Sequence, residues 1–342
     1  MKKILTPAVF FFVCALSFGA SVSAPSAENI SAARLDFISN EFLSGLREIS
    51  ADSGAMCVVS KGKTLFGKDF ILRGDNAAVK KFPLGNTSQT LLSLMLSAME
   101  KDGKIASDWK VARHCSYFRL GAQSTATFDD LISMRAGIDS HSDSLVPSDA
   151  SAFELFEIAG QIPPVSAPKE YFSRSKLSAS LAGYAIGYVF DKSQKNMKKS
   201  FAACAKKYIF EPLKMSDPRF SSFDKPFFPA TAFAFSIADC SRWLECETSK
   251  NPPVSSSSEI AKRRLSRDVS DRFGGGWLAS NEKGVHFFVS ADYWESCANV
   301  VAIIPSENLA AAFFAKSKDS KSASKLCADT LSKFLEMSVN PK

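Results

Sequence analysis

Strand-like sequence is confined to the two ends of this chain, and a long helical stretch separates them. Near the start, Met56-Cys57-Val58-Val59 and Thr64-Leu65-Phe66 flank the turn Ser60-Lys61-Gly62-Lys63 and read as a hairpin. Near the end, Gly284 to Val289, Asn299 to Ile304 and Leu309 to Phe314 are strand-like runs between turn residues. Leu35, Ile38, Phe42, Leu43 and Leu46 recur at helical spacing and predict a helix over about Ala32 to Ile49, and Leu326, Leu331, Phe334 and Leu335 predict a last one. From about Gln89 to Glu247 the pattern is helical, as in Thr90 to Lys101 and Leu181 to Phe190, with Pro- and Ser-containing loops. Both ends therefore belong to one sheet. The expected fold is α/β, an α+β sandwich in which an antiparallel sheet is flanked by the N- and C-terminal helices and an all-helical region is inserted. Residues 25–88 and 250–342 form the sheet domain in this reading, and 89–249 the helical region. Pro252-Pro253-Val254 and the serines 255–258 mark the return to the sheet.

Met1-Lys2-Lys3 precede an apolar run from Ile4 to about Ala20, and Val22-Ser23-Ala24 gives the small-x-small pattern of a signal peptidase site. This predicts a secretory signal at residues 1–24, cleaved after Ala24, and a periplasmic or secreted protein. Cys14 follows bulky Phe12 and Val13, which argues against a lipid anchor. No other segment reaches the roughly 18 apolar residues a membrane helix needs, so no transmembrane segment is expected. Removing Lys2 and Lys3 lowers the formal charge from +7 to +5. Seven of the eight cysteines remain after Cys14 is lost, none in a Cys-x-x-Cys pair, so neither a metal nor a cofactor is expected. An odd number in an oxidising compartment leaves at least one thiol unpaired or intermolecular. The basic cluster Lys262-Arg263-Arg264 with Arg267 lacks interleaved aromatics and reads as a solvated helix face, with no nucleic-acid partner.

Phe82-Pro83-Leu84-Gly85-Asn86-Thr87-Ser88-Gln89-Thr90, followed by a helix and Asp102-Gly103-Lys104-Ile105, resembles the nucleophile segment of the penicillin-recognising serine hydrolases. These are the class C β-lactamases, D-alanyl-D-alanine peptidases and related esterases. Thr127 to Ile132 with Gly137-Ile138, then Ile209-Phe210-Glu211-Pro212-Leu213-Lys214-Met215, Ser236 to Asp239, Arg242-Trp243-Leu244 and Phe273 to Trp277 continue the likeness in order, over roughly residues 35 to 335. The resemblance implies the serine β-lactamase-like fold. It does not by itself imply catalysis.

In that family a Ser opens a helix with a Lys one turn on, so that an amine takes the hydroxyl proton while helix-end amides stabilise negative charge. This chain has Asn86 and Gln89 there, and a carboxamide supplies neither nucleophile nor base. The family's Tyr-x-Asn aligns with Arg174-Ser175-Lys176, where a guanidinium cannot stand in for a phenolate. Its Lys-Thr-Gly or His-x-Gly strand motif aligns with Ser290-Ala291-Asp292. All three motifs are thus degenerate at Asn86, Gln89, Arg174, Lys176, Ser290 and Asp292.

Bare Ser-x-x-Lys matches at Ser60, Ser107, Ser173, Ser222 and Ser322 precede the wrong helices. The fallback nucleophile is Ser88, although Leu91 stands where its Lys would be and a helix cap is the simpler role for Ser88 or Thr87. His114, His141 and His286 match no triad or metal spacing, Asp129 and Asp130 suit a helix N-terminus, and Asp239 suits bracing of the Ser236 to Leu244 helix. The resemblance then implies an exported, catalytically degenerate β-lactamase-like protein with a binding or regulatory role. Its ligand site would be Arg174 and Lys176, holding an anionic cell-wall peptide or muropeptide, with an envelope protein as a further candidate partner. Two alternatives stand beside it. In one, Arg174 pairs with Asp292 or another acid in a cleft that binds nothing; in the other, the chain is a weak serine hydrolase with a relocated nucleophile.

Overall fold

The computed structural model describes residues 30–74, 80–118, 125–193, 195–221, 223–264, 273–282 and 284–339. The signal segment, Ser222 and Arg267 lie outside them.

The first helix, α1 (Ala32–Glu48), is capped by Ser31 and buries Leu35, Ile38, Phe42 and Leu46. The hairpin follows as β1 (Ser53–Ser60) and β2 (Lys63–Ile71), with Lys61 and Gly62 both at positive φ in its two-residue turn. A short strand β3 (Phe82–Pro83) leads into α2 (Ser88–Lys101). The inserted region continues through α3 (Val111–His114), α4 (Phe128–Ile132), α5 (Ala152–Gln161), α6 (Lys176–Phe190), α7 (Met197–Ala205), α8 (Phe228–Thr231) and α9 (Ile237–Thr248). It is not wholly helical, because β4 (Arg219–Phe220) and β5 (Phe233–Phe235) join β3 in a three-stranded sheet ordered β3-β5-β4. After α10 (Ser257–Arg264) come β6 (Phe273–Gly274), β7 (Trp277–Glu282), β8 (Val285–Trp294), β9 (Cys297–Ile304), β10 (Leu309–Lys316) and α11 (Ser320–Val339).

The main sheet has seven strands ordered β2-β1-β10-β9-β8-β7-β6, and the antiparallel β1–β10 pair joins the two ends of the chain. Both faces of its centre are covered. On one side Met56, Val58, Val300, Ala302, Ala311 and Phe313 pack with α1 and α11 residues such as Phe42 and Phe334. On the other Ala55, Cys57, Val59, Val301, Ala312 and Phe314 pack with the helical region, including Leu91, Leu92 and Met95 of α2. Burial on two faces explains why β1, β9 and β10 read as near-continuous apolar runs, whereas the edge strand β2 is largely exposed.

One basic cluster is not the solvated face its sequence suggested. Helix α10 lies across α2 and α9, and Arg263 pairs with Glu100 and lies 3.6 Å from Asp129. Arg264 bonds Glu247 through Nε at 3.1 Å, leaving only Lys262 of the three in solvent. Acids on the two underlying helices draw both guanidinium groups inward.

Candidate functional site

The turn at residues 85–87 delivers the chain into α2, and it is fixed from two directions. The Leu84 N–H donates to the Phe233 carbonyl of β5 at 2.9 Å. Asn299 of β9 accepts from the Thr87 hydroxyl at 2.8 Å and donates to the Leu84 carbonyl at 3.1 Å. Sheet register brings the opposing residues to this turn. Phe287 and Val289 of β8 face the terminal helices, so alternation turns Ser290 and Asp292 to the α2 side, and Asp292 is the register partner of Asn299. The Ser290 hydroxyl meets the Thr87 hydroxyl at 3.3 Å. Asp292 Oδ2 accepts the Asn86 N–H at 2.7 Å. Gly85, at φ +54°, permits that approach, since a Cβ there would lie 2.3 Å from Asp292 Oδ2.

Arg174 and Lys176 come from the segment that starts α6. Ser175 caps that helix, and the Asp143 carboxylate accepts from the Ser175 hydroxyl at 2.8 Å, the Lys176 N–H at 2.9 Å and the Leu177 N–H at 3.0 Å. Lys176 Nζ lies 5.0 Å above the Trp294 ring, and the Arg174 guanidinium 5.9 Å above that of Phe273. Both cations act on Asp292: burial pushes its carboxyl above the usual range, against the pull of the Asn86 N–H, Arg174, the Tyr293 backbone and Lys176. Burial likewise lowers the Arg174 pKa, and Asp292 opposes it. Lys176 thus acts on two carboxylates, Asp143 and Asp292, and Arg174 on Asp292.

Gln89, only 2% exposed, donates from Nε2 to Asn86 Oδ1 at 3.2 Å. Its Oε1 is buried with no hydrogen-bond partner. The β6–β7 turn closes over this residue, and Gly276, at φ +85°, is required there because a Cβ would sit 2.4 Å from the Thr90 nitrogen.

The structure thus gathers Asn86, Gln89, Arg174, Lys176, Ser290 and Asp292 around the head of α2. Ser88 is fully buried, and its hydroxyl oxygen accepts the Phe233 N–H at 3.1 Å, so it braces β5. Ser173 is likewise tied, donating to Asp139 at 2.9 Å and accepting from the Ser140 N–H. Asp130 caps α4, and the Asp239 carboxylate braces the start of α9 by accepting from the Ser236 hydroxyl and from the Ser216 and Asp217 N–H groups. Among the described residues no group of three His, Cys, Asp or Glu could hold a metal ion, and no helix is long and apolar enough to cross a membrane.

Sequence reasoning missed Asp143, Asn299 and the ring platforms Phe273 and Trp294. Asn299 carried a signal, being the one strongly polar residue in the apolar run from Cys297 to Ile304. Asp143 carried none, as it acts on a helix start more than 30 residues away.

Solved structures of this architecture cover most of the chain. A penicillin-binding protein homologue from Pyrococcus abyssi, octameric in its structure, shares 16% identity at a TM-score of 0.70, over 90% of this chain and 78% of that one. A class C β-lactamase from Rhodobacter sphaeroides shares 15% identity at 0.68, over 87% and 99%. A β-lactamase/D-alanine carboxypeptidase from Yersinia pestis, complexed with citrate, shares 12% at 0.71, over 91% and 100%. At such identities the likeness establishes the fold. No curated protein matches the sequence. The Beta-lactamase family model, however, matches residues 44–331, and with most of its length so matched the chain belongs to the Beta-lactamase family.

Proposed function

We propose that this chain is a catalytically degenerate member of its family, exported to the cell envelope, and that it binds an anionic cell-wall peptide or a muropeptide instead of cleaving one. The observation that carries the reading is the bond from the Asn86 N–H to Asp292 Oδ2. In a working site, an amide at the head of the nucleophile's helix is kept for the charge that develops on substrate. Here the chain's own carboxylate takes it, beside two carboxamides that can neither attack an acyl carbon nor accept a proton.

The same cluster supports binding. Arg174 and Lys176 both act on Asp292 while resting on the Phe273 and Trp294 rings, so their charges are held side by side where a carboxylate could meet them. A peptide carboxylate would then compete with Asp292 for the cations. Burial of Ser88 weighs against a weak hydrolase built around it.

Titration calorimetry with a peptide ending in D-alanyl-D-alanine tests the proposal. Binding should weaken about tenfold or more in Arg174→Gln, which loses a charge-assisted hydrogen bond, and should tighten in Asp292→Asn. Binding by neither the parent nor Asp292→Asn would refute it.

A further inference from the structure

We infer that Cys57 and Cys240 form a structural disulfide that ties the sheet to the helical region. Cys57 lies on β1 with its side chain in the core shared with the helices, and Cys240 lies in the first turns of α9. Their Sγ atoms are 4.0 Å apart, and both residues are buried. Helix α9 packs directly on β1, so the approach belongs to an established interface between two regular elements. To reach the roughly 2.05 Å of an S–S bond the two sulfurs must close by about 2 Å.

Three of the other cysteines make different contacts. Cys297 and Cys327 both point at the Ala298 carbonyl, at 3.5 and 3.9 Å, and Cys204 contacts the Met99 sulfur at 3.5 Å. Seven cysteines and one bridge leave five thiols, all buried where described. The odd count therefore needs no intermolecular partner.

The chemistry balances by exchange with an external disulfide, such as oxidised glutathione or a protein disulfide. One thiolate attacks it, a mixed disulfide forms, and the second cysteine's sulfur displaces the carrier. The Sγ–Sγ bond forms, the carrier's S–S bond breaks, two protons leave the cysteines, and the carrier departs as two thiols. Burial pushes the Cys240 thiol well up, so the folded protein resists this exchange and the bridge forms while α9 docks. The crosslink spans 183 positions of the chain and restricts the unfolded state strongly. This inference does not depend on what the cleft binds.

The test is to refold the full mature chain in a glutathione redox buffer, block free thiols in denaturant, and map peptides without reduction. The expected result is a Cys57–Cys240 linked peptide, five alkylated cysteines, and a melting temperature that falls by roughly 5 °C or more on reduction. Full alkylation of both cysteines, or a bridge from either to another cysteine, would overturn the assignment. Cys57→Ser with Cys240→Ser should remove the shift on reduction, and a shift that persists would also overturn it.

Discussion

Two arginine–carboxylate clusters lie toward opposite ends of α2, and they differ in burial. In one, Arg264 and Glu247 are both nearly inaccessible, and the remaining Glu247 oxygen accepts the Trp243 Nε1–H at 3.2 Å. In the other, Arg174 and Lys176 are only half-buried, rest on aromatic rings and act on Asp292. A completed buried network specifies packing. A half-buried one leaves its cations within reach of an added anion.

The largest expected contrast is in stability. Arg264→Ala strands the buried Glu247 carboxylate and should cost about 3–5 kcal/mol in denaturant unfolding. Asp292→Asn should change stability by no more than about 1 kcal/mol, because an amide oxygen can still accept the Asn86 N–H. Equal costs would make both clusters structural and end the distinction. Between these extremes, Ser88→Ala leaves the Phe233 N–H without its acceptor and should cost about 1–3 kcal/mol, with no change in ligand titration. A loss of binding with intact stability would return Ser88 to the site.

The smallest effect is in the pH dependence, where the two ends of α2 should differ in sign. Glu100, beside Arg263, has its pKa lowered: burial works against the shift, and the Arg263 charge with hydrogen bonds from Ser107 and Arg263 outweighs it. Its contribution is present above the unfolded pKa near 4.5 and is lost as pH falls through the lower folded value. Asp292, raised by burial, does the reverse. Its contribution is present below the unfolded value near 3.8 and is lost as pH rises through the higher folded one. Glu100→Gln should therefore flatten the acid limb of a stability–pH curve, and Asp292→Asn should steepen it. The same change in both variants would break the comparison.

Long, strongly patterned elements were legible in the sequence. The β1–β2 hairpin announced itself through Lys61-Gly62 between β-rich runs, and α1 and α11 through their apolar spacing. The three-stranded sheet was not legible, because strands of two and three residues such as Arg219-Phe220 have no period to detect. At the site, the residues standing at the family's motif positions could be named because their order along the chain carries the resemblance. What joins them could not. The bonds of Asn86 to Asp292 and Thr87 to Asn299 span more than 200 residues and depend on β8–β9 register, which no local pattern encodes. The inward turn of Arg263 and Arg264 was hidden for the same reason, since their acids sit on α2, α4 and α9.

The central claim is that the head of α2 holds no acylatable group. Intact-mass spectrometry of the folded mature protein, after incubation with a reactive β-lactam and separately with a fluorophosphonate, tests it most directly. The account predicts an unchanged mass with both reagents. A stoichiometric adduct on any serine would contradict it and would identify the nucleophile.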